Sequence, residues 1–119
     1  FDVTTAPSGY VAENADVVAK FLAVTADANA AWNATQPDFM LNMIAQDAGM
    51  SAADAASSLS TFVFPDVDAQ LSGGWLGGAA QTFMKGVADV FVAAGSIDSA
   101  NSSYADNVNV GPLTSAKGM

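Results

Sequence analysis

At 119 residues and 12.0 kDa the chain has the size of one domain or a piece of one, and a hydrophobic fraction of 51% can supply a core. Twelve acidic residues face three lysines, with no arginine and no histidine, and the net charge of −9 excludes nucleic acid and anionic membrane surfaces as partners, because like charges repel. The absence of cysteine excludes disulfides, thiolate catalysis and zinc–thiolate sites, and no apolar run reaches the roughly 18 residues of a membrane span.

Phe1-Asp2-Val3-Thr4-Thr5 is β-prone and predicts a strand over residues 1–5, ended by Pro7-Ser8-Gly9. No second convincing strand follows nearby to pair with it. A helix is expected over about 15–33, with Asn14 as N-cap and Asp16 in the first turn, where the helix end is positive. Val17, Phe21, Val24, Ala28 and Trp32 recur on one face of it, and Trp32 reads as a packing residue.

Pro37 opens a second helix, over about 37–48, with Phe39, Met40, Met43 and Ile44 on its apolar face and Gly49 as its C′ residue. Its methionines read as gap-filling core. Ser51-Ala52-Ala53-Asp54 resembles a capping box and starts a third helix, over about 52–59. Thr61 to Pro65 reads as an extended loop, and Asp66-Val67-Asp68 as the start of a short turn toward Leu71. Beyond the glycine-rich stretch 72–78 a long helix is expected over about 79–94, striped by Ala80, Phe83, Met84, Val87, Val90, Phe91 and Ala94 and capped by Gly95. The polar tail 98–119 reads as irregular. The segment is therefore mostly α, with one N-terminal strand.

The side chains for most catalysis are missing. There is no histidine for acid–base work and no cysteine nucleophile, and Lys20, Lys85 and Lys117 all read as exposed rather than paired with a serine, so no enzyme is expected. Asp66 and Asp68 offer two hard oxygen ligands, but a calcium loop needs about five ligand positions and a central glycine, so they read as solvated loop carboxylates and no metal is expected. Gly73-Gly74-Trp75-Leu76-Gly77-Gly78 precedes a helix, yet no Lys-Ser/Thr follows as in a phosphate-binding loop. It reads as a flexible or tightly packed entry to the last helix. Asp2, in a β-branched context, reads on composition as an exposed strand end.

Several stretches together carry a resemblance. Phe1-Asp2-Val3 is followed by Asn14-Ala15-Asp16-Val17-Val18-Ala19-Lys20-Phe21-Leu22. Further on stand Ile44-Ala45-Gln46-Asp47-Ala48-Gly49-Met50, Phe64-Pro65 with Val67 and Gln70-Leu71-Ser72, Trp75-Leu76-Gly77-Gly78, Lys85-Gly86-Val87-Ala88-Asp89, and Phe91-Val92 with Gly95-Ser96-Ile97. In order and spacing this set resembles the last third of type II periplasmic solute-binding proteins of ABC importers, in the taurine-binding branch. Ala15 stands where that family commonly has proline.

The resemblance implies a two-lobed α/β parent fold with the ligand cleft between lobes, of which residues 1–119 would be the C-terminal segment. Residues 1–5 would be the crossover strand, and an N-terminal part would lie upstream, in keeping with a chain that opens at Phe1 with no signal peptide. The implied function is capture of a small sulfonate, taurine, in the periplasm, with no cofactor, and delivery to a membrane permease. Asp2 matches the position of a carboxylate that meets the ligand's amino group, and Phe64 and Trp75 would border the cleft. Two alternatives stand beside it: a binding protein for alkanesulfonate, nitrate or a thiamine precursor, and a self-standing acidic helical module that binds a protein partner.

Overall fold

The computed structural model describes all residues, 1–119. It is mostly helical and has no strand: α1 (Ser8–Glu13), α2 (Ala15–Thr35), α3 (Asp38–Asp47), α4 (Ala52–Leu59), α5 (Val67–Leu71), α6 (Ala79–Ala93) and α7 (Gly111–Ala116), with a 3₁₀ turn at Ala105–Asn107. None of its helices is long and apolar enough to cross a membrane. The chain divides into two compact units. One joins Phe1–Ala23 to Val67–Met119, and the other is Val24–Asp66.

The helix ends follow local chemistry. At α4, the Asp54 amide donates to Ser51 Oγ at 3.1 Å while the Ser51 hydroxyl donates to Asp54 Oδ2 at 2.6 Å. The first bond is the N-cap half of a capping box; the Asp54 carboxylate takes the Ser51 hydroxyl rather than its backbone N–H. At the end of α3, Gly49 takes φ +67°, its amide donates to Gln46 O, and the Met50 amide donates to Ala45 O. The end of α6 repeats the pattern: Gly95 takes φ +70°, its amide donates to Val92 O, and the Ser96 amide donates to Phe91 O. Both are Schellman ends, which favour glycine because a side chain is strained at positive φ.

Three expectations are corrected. Residues 1–5 are not a strand; they run as coil into α1. Their β-branched side chains favour a pleated sheet, but that preference acts through a paired neighbour, and this structure has no second strand. Asn14 stands at the N-cap position of α2, its carbonyl accepting from the Val18 amide at 3.1 Å, but its side chain does not cap that helix: Nδ2 donates back to Tyr10 O of α1 at 3.0 Å. The tail is not irregular throughout. Asn109 Oδ1 accepts from the Gly111 amide at 3.0 Å, Pro112 fits the first turn of α7, and Leu113 and Ala116 are buried. The α5 and α7 helices pack together, and Lys117 Nζ forms an ion pair with Asp68 Oδ1.

The core is thin. Eight hydrophobic residues are buried, six of them alanine, with Trp32 and Leu113 the two large ones. The stripe expected to bury α2 mostly faces water: Val17, Phe21 and Val24 are exposed and Ala19 is buried instead. On α3, Met43 is exposed rather than core. On α6, Ala80 and Ala88 are buried while Phe83, Val87, Val90 and Phe91 are exposed.

Candidate functional site

In the first unit, Asp2 lies on exposed coil beside an aromatic cluster. The Phe1 ring meets Trp75 edge to face, with centroids 5.3 Å apart and planes at 90°, and meets Phe83 of α6 at 5.3 Å with planes at 56°. Both separations lie in the range where ring quadrupoles attract. Trp75 is half-buried on the glycine-rich loop 72–78, and Phe1 covers part of it.

That loop is tightly wound. The Leu76 amide donates to Gln70 O at 2.9 Å, the Gly77 amide to Ser72 O at 2.9 Å, and the Ala79 amide to Gly73 O at 3.0 Å. A Cβ on Gly77 would come within 2.7 Å of Ser72 O and 2.8 Å of Leu71 O, so the chain must pass there as glycine. Gln81 reaches back from α6, its Nε2 donating to Leu76 O at 2.7 Å. Its Oε1 is buried without a hydrogen-bond partner. The stretch read as a helix entry is therefore a folded loop that presents Trp75.

Phe64 belongs to the second unit. Its ring lies 6.5 Å from Trp32 at 72° and 6.2 Å from Phe62 at 26°, and its carbonyl accepts from Asn33 Nδ2 at 2.7 Å. These contacts dock the extended loop onto the end of α2, within a unit where α3 packs on α4. The same unit holds a pocket of about 250 Å³ lined by Trp32, Gln36, Asp38, Leu41, Leu59 and Ser60. Phe64 does not line it. Gln36, at its edge, takes φ +46°, a conformation that costs free energy for a residue with a Cβ.

Asp2 and Trp75 thus share one unit, and Phe1 joins them; sequence reasoning missed Phe1 and Phe83 as neighbours of the site. Their signal was present as large aromatics at the start of the chain and on the α6 stripe, but spacing alone did not pair residues 1 and 83. No group of three or more histidine, cysteine, aspartate or glutamate side chains is gathered to hold a metal ion. Two lysines are engaged: Lys85 Nζ bonds both Asp89 oxygens, at 2.5 and 2.6 Å, and Lys117 pairs with Asp68. Comparison with protein-family models, curated proteins and solved structures finds no match to this chain.

Proposed function

We propose that residues 1–119 are the C-terminal part of the solute-binding component of an ABC importer, which captures taurine between two lobes in the periplasm and delivers it to a membrane permease. The observation that carries this reading is the mismatch between apolar surface and core. Eighteen large hydrophobic side chains are exposed, among them Phe21 at 56%, Phe39 at 65% and Val90 at 67%. Exposed apolar faces of this extent belong against another body. A C-terminal segment laid on the rest of a two-lobed protein meets that demand, and the ordered set of motifs from Phe1-Asp2-Val3 to Gly95-Ser96-Ile97 points to the same parent.

In this reading the ligand stabilises closure of the two lobes by touching both. Groups outside this segment hold the sulfonate, and the exposed Asp2 carboxylate accepts from the ammonium group.

The test is calorimetric titration of the intact polypeptide that carries this sequence, with taurine and with ethanesulfonate, which lacks the amine. Taurine should bind. Asp2→Asn should weaken it about tenfold or more, because a charge-assisted hydrogen bond is lost. Ethanesulfonate affinity should change little. Absence of binding to either sulfonate would sink the sulfonate reading and leave a binding protein for nitrate or a thiamine precursor, or the acidic helical module, in its place.

A further inference from the structure

Among residues 1–119 no strand pairs with the segment that carries Asp2. Residues 1–7 are coil, and Asp2 is exposed. What anchors the segment is the ring of the residue before it: Phe1 stands edge-on to Trp75 and tilted against Phe83, 5.3 Å from each. Consecutive Cα atoms are about 3.8 Å apart, so a fixed Phe1 confines the backbone of residue 2 to a small volume.

Trp75 in turn is held by the wound loop whose Gly77 admits no Cβ, and Phe83 stands on the first turns of a 15-residue helix. The clamp is therefore built on a hydrogen-bonded loop and a helix, while the Asp2 side chain beside it stays in solvent.

We propose that Phe1, Trp75 and Phe83 are positioning residues for Asp2: the aromatic clamp holds the carboxylate where it meets the ligand's ammonium group. The inference rests on the solute-binding reading. It also gives Trp75 a different task from bordering the cleft, since part of its ring is covered by Phe1. Binding energy would otherwise be spent in ordering a free coil, so the clamp contributes to affinity by preorganisation.

The specific consequence is selectivity. A clamp that acts through Asp2 matters to a ligand with an amine and not to one without. In the intact polypeptide, Phe83→Ala should weaken taurine about fivefold, the size expected for losing an aromatic pair, and leave ethanesulfonate within about twofold. Phe83→Tyr should restore taurine affinity. In an Asp2→Asn background, Phe83→Ala should cause no further loss of taurine affinity, because the group it steadies is gone.

Phe83→Leu, which keeps most of the volume, gives the same comparison should Phe83→Ala fail to fold. Equal losses for taurine and ethanesulfonate, or a taurine loss that persists beside Asp2→Asn, overturn the positioning role while the transport reading stands. Wild-type protein that binds neither sulfonate overturns the positioning role together with the sulfonate reading.

Discussion

Gly77 is the residue on which the loop around Trp75 depends. The obstruction to a side chain there is backbone, Ser72 O and Leu71 O, and not the far end of a flexible side chain. Gly77→Ala must therefore unwind the turn and release the hydrogen bonds that the Leu76 and Gly77 amides make to Gln70 O and Ser72 O. A loss of about 2 kcal/mol or more is expected, comparable with other backbone strain that leaves polar groups unpaired. Chemical denaturation of the 119-residue chain would measure it, and a variant as stable as the parent would show that the loop is not wound as described. Ser51→Ala is a milder case. It removes the acceptor of the Asp54 amide at an exposed helix start, for an expected cost of about 1 kcal/mol in the same measurement.

At the scale of elements, α3, α4 and α6 were legible in the sequence because their signals are local. Pro37, Ser51 with Asp54, Gly49 and Gly95 each act within one turn, and the structure uses Gly49 and Gly95 at positive φ. The start of the chain was misread for the opposite reason. A strand is stabilised by its partner, and β-branched composition at residues 1–5 says nothing about whether one exists. α7 was missed although Gly111-Pro112 is a fair start signal, because its six residues are too few to display a period. Which face of each helix is buried was the least legible feature: of the expected stripes Trp32 on α2 and Ala80 on α6 are buried, while Ala19 and Ala88 outside them are buried in place of the large side chains.

The α6 stripe yields an element-scale prediction. Gly86 lies one turn from Phe83 and from Val90, and a Cβ there would meet nothing within 4 Å. In the 119-residue chain, Gly86→Ala should therefore stabilise α6 by about 0.5–1 kcal/mol, the gain in helix propensity at an unobstructed site. In the longer polypeptide of the proposed solute-binding reading the sign should reverse if another body packs closely on this stripe, because the added methyl then meets it. Thermal unfolding of both forms gives the two values. The same stabilisation in both would mean that the α6 face stays open, and would weigh against the two-lobed parent.

For the whole molecule the decisive quantities are surface and charge. The chain exposes 8000 Å². Two separate compact bodies sharing its mass about two to one would expose about 7,200 Å² together, so the excess does not depend on how the units sit. Eighteen large hydrophobic side chains lie exposed on it, yet the chain also carries a net charge of −9, and all three lysines fall in the first unit, leaving Val24–Asp66 with five aspartates and no base. Two forces therefore compete between copies: apolar faces attract at contact, and like charges repel at longer range. Salt decides between them, since the screening length falls from about 30 Å at 0.01 M to about 3 Å at 1 M. The 119-residue chain should remain dispersed at low ionic strength and associate as sodium chloride rises, which sedimentation velocity would follow at fixed protein concentration. Association that instead weakened with salt would mean that ion pairs and not apolar faces join the copies. An intact polypeptide that stays monomeric across the same salt range, while the 119-residue chain associates, is the outcome expected if the remainder of a two-lobed protein covers these faces.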